Sequence, residues 1–420
     1  MKKQNIKVLM HRAFVVFLTI LLINDIGTAY AGRNLEIIAQ QGGGSQTNAT
    51  RAEALKLTKE GVQLFKEGTA ESLQAARKKN EAALVLWRKL GDKGKQAFTL
   101  LGIGRICDLV GEKQKALQFY DQALPLFRVV GDRGGEAATL NNIGLVYSDL
   151  GEKQKALQFY NQVLPLRRAV GDRRGEAATL NNIGLVYSDL GEKQKALQFY
   201  NQVLPLRRAV GDRRGEATTL NNIGGVYSSL GEKQKALQFF NQALPLFRAV
   251  GHRSGEATTL NNIGGVYSDL GEKQKALQFY DQALPLLRAV GDRRGEATTL
   301  NNIAAVYSNL GEKQKALQFY NQALPLFRAV GNRGGEAATL TGIGHIYSHL
   351  GEKQKALQFY DQALPLYRAV RDRGGEAITL TGIGGVYSHL GEKQKALQFY
   401  NQALPLLRAV GDRAGEAGTL

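Results

Sequence analysis

Five asparagine pairs carry the clearest chemistry in this 420-residue chain: Asn141-Asn142, Asn181-Asn182, Asn221-Asn222, Asn261-Asn262 and Asn301-Asn302. They recur every 40 residues. A carboxamide donates and accepts a hydrogen bond at once, which suits the backbone of an extended peptide and suits another amide equally. Asparagine is a poor helix former, so five pairs inside helix-patterned segments need a reason. Two readings stay open. The amides hold a peptide, or they satisfy one another between neighbouring repeats. The pair is replaced by Leu101-Gly102 early and by Thr341-Gly342 and Thr381-Gly382 late, so the ladder is central.

Other chemistry fails on pattern. Gly342-Ile343-Gly344 and Gly382-Ile383-Gly384 lack the preceding strand and the third glycine of a dinucleotide loop. His345 and His349 stand four residues apart and could share a metal, but no third ligand is apparent. Cys107 is the only cysteine, which argues against a disulfide framework. It takes a position that is tyrosine in other repeats and reads as a buried structural thiol. Nothing in the pattern positions a Ser/His/Asp or Cys/His set. The reading is no enzyme, no cofactor and no metal.

The elements that place these residues follow from periodicity. The string GEKQKALQFY begins at Gly111 and returns every 40 residues to Gly391, eight copies with one change, Phe240 for Tyr. Such a period marks a repeat array of stacked supersecondary units. In residues 137–176, Leu140, Ile143, Gly144, Tyr147 and Leu150 form one apolar helical stripe. Gly151 suits a left-handed stop. Ala156, Phe159, Tyr160, Val163 and Leu164 form a second stripe, interrupted by Arg167 where other repeats carry Phe127, Phe247 or Leu287. Gly171 ends the second helix, and Asp172 is the expected N-cap of the next. Each unit is helix–turn–helix. All eight prolines, Pro125 to Pro405, share one position in the second helix, which predicts a repeated fixed bend there.

The spacing Leu140-x-x-Ile143-Gly144-x-x-Tyr147, then Gly151, Ala156 and Tyr160, resembles the tetratricopeptide (TPR) pattern. Leu140 stands where that pattern has Trp, Arg168 where it ends in Pro, and the period is 40 rather than 34. The longer unit is similar to the repeats of kinesin light chain and of Pins-type proteins. The resemblance implies an all-α fold: a right-handed TPR superhelix, an α-solenoid of stacked antiparallel helix pairs. It also implies that the asparagine pairs face a concave groove that takes a protein or peptide ligand.

The expected organisation is a signal peptide at 1–31, a flexible lead-in at 32–50 and a degenerate terminal repeat at 51–96. Eight 40-residue repeats at 97–416 and the start of an incomplete helix at 417–420 follow. Lys2, Lys3, Lys7 and Arg12, a short apolar run and Ala29-Tyr30-Ala31 are secretory features, and the run is too short to span a bilayer. Export to the periplasm or beyond the cell is expected. In the degenerate repeat, Trp87 takes the Phe127 position and Gly91-Asp92 takes that of Gly131-Asp132.

The net charge is +18, distributed along the repeats as a solvated face. Nucleic acid is not the expected partner, for want of aromatic–basic interleaving. An anionic envelope component is a further candidate. Residues 137–176 and 177–216 are identical, and tolerance of repeat number fits a scaffold. The expected function is protein–protein interaction. The alternatives are a sensor or scaffold fragment of a larger CHAT-type signalling protein whose effector domain is missing, and a basic module for anionic envelope polymers.

Overall fold

The computed structural model describes residues 45–419. The expected signal segment lies outside them. Contacts divide the chain into two compact units, Met1–Val226 and Tyr227–Leu420, each described here by itself. Among the described residues every regular element is a helix.

The first unit runs α1 (Ser45–Glu67), α2 (Ala70–Lys89), α3 (Lys93–Leu109), α4 (Lys113–Val130), α5 (Arg133–Asp149), α6 (Lys153–Ala169), α7 (Arg173–Asp189), α8 (Lys193–Ala209) and α9 (Arg213–Ser229), whose last turn passes the unit boundary. The second runs α10 (Lys233–Ala249), α11 (Arg253–Asp269), α12 (Lys273–Ala289), α13 (Arg293–Asn309), α14 (Lys313–Ala329), α15 (Arg333–His349), α16 (Lys353–Val370), α17 (Arg373–His389), α18 (Lys393–Val410) and α19 (Arg413–Thr419). Within each unit a helix packs on its chain neighbours, and first helices of successive repeats also touch, as α5 touches α7. This is a stack of antiparallel helix pairs.

The helices stop where the backbone chemistry says they must. Gly151 adopts φ 82°, and the Glu152 amide donates back to the Tyr147 carbonyl at 2.9 Å. That closes the last turn on a residue with no Cβ to clash. The next pair opens on Asp172, whose carboxylate accepts from the Gly175 amide at 2.8 Å, one of the orphan donors of a helix start. Pro165 lies on the exposed side of α6, and the helix runs through it. A missing N–H and a ring that crowds the preceding turn are tolerated where the freed carbonyl meets water.

The core repeats as the sequence does. Leu157 and Tyr160 of α6 pack under Ile183 and Val186 of α7, and Leu277 and Tyr280 of α12 under Ile303 and Val306 of α13. Each buried leucine or isoleucine contributes about 1.5–3 kcal/mol through the apolar area removed from water. Small residues sit where helices meet. Ala156 is fully buried, and the ring of Tyr160 fills the space beside Gly144.

The segment expected to be a degenerate repeat carries the helix pair α1–α2. Trp87 is buried in the Phe127 position, and its indole N–H donates to Thr58 Oγ1 at 3.2 Å. Gly91 has φ 68° and Asp92 caps α3, as Gly131 and Asp132 do one repeat on. Helix α1 starts at Ser45, inside the segment read as a lead-in, with Thr50 Oγ1 donating to the Gln46 carbonyl. Cys107 is buried, and burial raises its thiol pKa, which holds it as the unreactive thiol.

Candidate amide ladder and first-helix face

On α7 the residues Ala177, Leu180, Ile183, Gly184 and Val186 are buried. Arg174, Leu185 and Asp189 are exposed, and Asn181 and Asn182 are half-buried between the two sides. The same division holds on α5 from Ala137 to Asp149. A helix residue at i, i+4, i+7 and i+11 shares one face, so Arg174, Ala178, Asn181 and Leu185 form an open stripe. Leu145 and Leu185 are 37% and 40% exposed, an apolar element beside the amides. Phe98 takes the same face on α3 and is also exposed.

The amides bridge successive repeats. Asn182 Nδ2 donates to Asn141 Oδ1 at 3.3 Å, and Asn222 Nδ2 to Asn181 Oδ1 at 3.2 Å. In the second unit Asn302 Nδ2 reaches Asn261 Oδ1 at 3.5 Å, and that oxygen also accepts from Thr299 Oγ1 at 3.0 Å. Thr339 Oγ1 donates to Asn301 Oδ1 at 2.9 Å. The first residue of one pair thus accepts from the next repeat. Asn221 and Asn262 are also bonded. The Asn142 side chain makes no hydrogen bond among the described residues. Each bridge leaves Asn141 Nδ2 and Asn182 Oδ1 with capacity for a further partner, because an amide offers two donors and two acceptor lone pairs.

Where the pair is Thr-Gly the bridge changes type. Thr341 and Thr379 hydroxyls meet at 3.0 Å. The ring of Tyr320 occupies the space a side chain at Gly342 would need, 2.5 Å from where its Cβ would be. His345 lies edge-on to Tyr360, ring centres 5.5 Å apart. Burial, and then His349, hold its imidazole below the usual histidine range. No three metal-ligating side chains converge among the described residues.

Two further networks were invisible as partners in the sequence, though their spacing was there to be read. Tyr147 stacks on Phe159 at 5.4 Å, and Lys155 Nζ sits 5.2 Å from the Tyr147 ring centre. The lysine pairs with Glu152 at 2.5 Å, which raises its pKa. Lys153 crosses to Asp189 of the next repeat at 2.5 Å. In the first of the two identical repeats Arg167 stands where other repeats carry Phe, Leu or Tyr, and pairs with the cap Asp172 at 2.5 Å. Fixed offsets of 3, 5, 8 and 36 residues between opposite charges are the signal that reveals these pairs.

Helix pairs stacked at a 40-residue period, with amides threaded from one pair to the next, define a helical-repeat module of the α-solenoid class. The tetratricopeptide repeat model matches residues 119–169, 135–209, 175–249, 251–329 and 331–409, and the chain belongs to the tetratricopeptide repeat family. No curated protein sequence matches it. Among solved structures it is similar to the STAND protein with a tetratricopeptide repeat sensor, PH0952 from Pyrococcus horikoshii. That match has TM-score 0.62 and 16% identity over 91% of this chain, which spans 56% of that protein's length. It is similar also to the quorum sensor NprR from B. thuringiensis, with TM-score 0.60 and 17% identity over 86% of this chain and 100% of that one. A Rap protein in complex with Competence and Sporulation Factor matches with TM-score 0.57 and 14% identity, over 87% of this chain and 99% of that one. At these identities the likeness is one of fold.

Proposed function

We propose that this chain is a non-catalytic scaffold that holds a protein or peptide partner along the open face of its first helices, with the asparagine pairs reading the partner's backbone. The observation that carries this is the half-buried ladder with spare capacity. The Asn142 side chain is unbonded among the described residues, Asn141 and Asn182 keep a free donor and acceptor, and Leu145 and Leu185 lie exposed beside them. Amides held in register by one another present a row of donors and acceptors at low entropic cost, which is what preorganisation means for binding. The complex of a Rap protein with Competence and Sporulation Factor supports the reading that this fold accommodates a partner.

The test separates binding from stacking. Asn142→Ala removes no bridge, so it should weaken a partner captured from envelope extract by about 3–10-fold, the effect of one hydrogen bond, and leave melting unchanged. Replacing Asn181, Asn221 and Asn261 together should weaken binding further. Unchanged affinity in Asn142→Ala, with lost stability in the triple variant, would assign the ladder to stacking alone. The chain is further proposed to be exported, with cleavage after Ala31. N-terminal sequencing of the mature protein decides this, and an intact Met1 rules it out.

A further inference from the structure

The charges of one repeat do not cancel evenly in space. In residues 137–176 every carboxylate is engaged. Asp149 meets Lys113 at 2.6 Å, Glu152 meets Lys155, Asp172 meets Arg167, and Glu176 meets Arg168 at 2.5 Å. Lys153 is held by Asp189. Two cations remain, Arg173 and Arg174, exposed and without an ion pair among the described residues. Arg133 and Arg213 are in the same state at the equivalent turns. Unpaired arginines therefore recur at the turns that lead into α5, α7 and α9. The amide of Gly175 at that turn is already taken by Asp172, so the guanidinium groups, and not the helix end, are what this edge offers.

The same turns expose apolar surface. Val130 and Val170 are 44% and 46% exposed, each three residues before an unpaired arginine. An exposed valine three residues before an unpaired arginine, at two successive turns, is poor at binding a purely ionic polymer, which has nothing to place on the valine. It suits a chain carrying both carboxylates and short apolar side chains. Arginine's planar fork also matches a carboxylate bidentately.

We propose that the turn rim of the first unit, formed by Val130, Arg133, Val170, Arg173, Arg174 and Arg213, docks an extended acidic protein segment. Its carboxylates pair with the arginines and its apolar residues cover the valines. This surface lies at the helix starts, and Arg174 alone is shared with the stripe that carries Asn181, two helical turns further along α7. The proposal therefore does not rest on the function proposed above.

The test uses the full chain and a fluorescent (Glu-Glu-Val)5 peptide, with polyglutamate of equal length and inorganic polyphosphate as comparisons. The valine-bearing peptide should bind tighter than both, and its affinity should fall as salt rises. Arg173→Gln, Arg174→Gln and Arg213→Gln together should weaken it about tenfold, as expected of several exposed ion pairs. The matching lysine triple, which keeps the charge and loses the fork, should bind between the glutamine triple and the unaltered chain, which excludes misfolding as the cause. Val130→Ser with Val170→Ser should lower the affinity to that of polyglutamate. Asn142→Ala should leave it unchanged. The proposal is overturned if polyphosphate or polyglutamate binds as tightly, if the glutamine triple binds normally, or if Asn142→Ala weakens the peptide.

Discussion

A Cβ placed on Gly144 would lie 2.6 Å from Cε1 of Tyr160. The glycine is there because the neighbouring helix puts a ring against its backbone, and the same relation joins Gly184 to Tyr200 and Gly264 to Tyr280. One repeat departs from it, with Ala304 beside Tyr320. There the ring comes to 2.5 Å from the position of a Cβ on Gly342, against 2.9 Å for Tyr360 and Gly382. The extra methyl is accommodated because the following repeat has no side chain at that point. Gly144→Ala is therefore expected to cost about 1–3 kcal/mol, the usual penalty of overpacking, since Asn182 follows where Gly342 would. Gly342→Asn should cost a similar amount, and less when combined with Ala304→Gly. A double-mutant cycle in urea, read by hydrogen exchange at each repeat, checks the coupling.

Arg167 replaces the phenylalanine of other repeats, and its pairing with Asp172 at 2.5 Å joins the end of α6 to the cap of α7. Both groups are largely buried. A buried pair is often matched or bettered by an apolar residue of similar volume, while removing one partner is costly. Arg167→Phe, with Asp172 still capping, should leave stability equal or raised. Asp172→Ala should cost more than Asp132→Ala, because it removes the cap, worth about 0.5–2 kcal/mol, and strands the guanidinium as well. Melting curves of the three variants decide the order.

Arg371 occupies the position of Gly171 and has φ 58°. It is the only non-glycine residue with positive φ among the described residues. A Cβ in the left-handed region costs about 1–2 kcal/mol. Arg371→Gly should therefore raise the stability of the α16–α17 pair by up to about 1 kcal/mol, the relief being partly offset by the entropy of a glycine in the unfolded chain. Slower amide exchange around Asp372 is the readout.

His345 is held below the usual histidine range, chiefly by burial and secondly by His349. A base whose folded pKa is depressed favours the fold in its neutral form. Its contribution is complete above the unfolded value near pH 6.5 and is lost as pH falls from there toward the folded value. The second unit should lose stability between pH 7 and 5, with at most about 1.4 kcal/mol per pH unit from this group. His345→Leu, matching Leu145 and Leu185, should flatten that loss. An unchanged slope would show that another group controls it.

Leu397 on α18 is 52% exposed, against 8% for its counterpart Leu357 on α16. Leu357 lies under Ile383 and Val386, whereas Ala403 and Leu407 of α18 pack on Ala377 and Leu380 of α17, and Gly415 of α19 lies against Leu407. In this chain Leu357→Ala should cost about 2–5 kcal/mol, as for a buried core leucine. Leu397→Ala should cost much less.

The helix pairs, their ends and their core positions were legible because each depends on local rules applied eight times. The period of 3.6 assigned Leu140, Ile143 and Val163 to the core. Glycine's tolerance of positive φ placed the stops at Gly151 and Gly171, and the short carboxylate of Asp172 placed the cap. Residues such as Gly144 and Ala156 announced close contact by having no bulk.

The asparagine pairs show where that reading ends. Their chemistry was evident and their choice between a ligand and one another was not, because an amide serves both. The bond from Asn182 to Asn141 spans 41 residues, and no local rule relates residues that far apart. The same holds for Lys153 with Asp189. The unpaired state of Arg173 is of this kind too, since it follows only after every carboxylate around it has found a partner. By itself the sequence determined the repeat, its two helices and their buried faces, through short-range sterics and periodicity. The tertiary structure alone decided which polar groups satisfy each other between repeats and which stay unpaired among the described residues, because hydrogen bonding and charge pairing depend on distance in space.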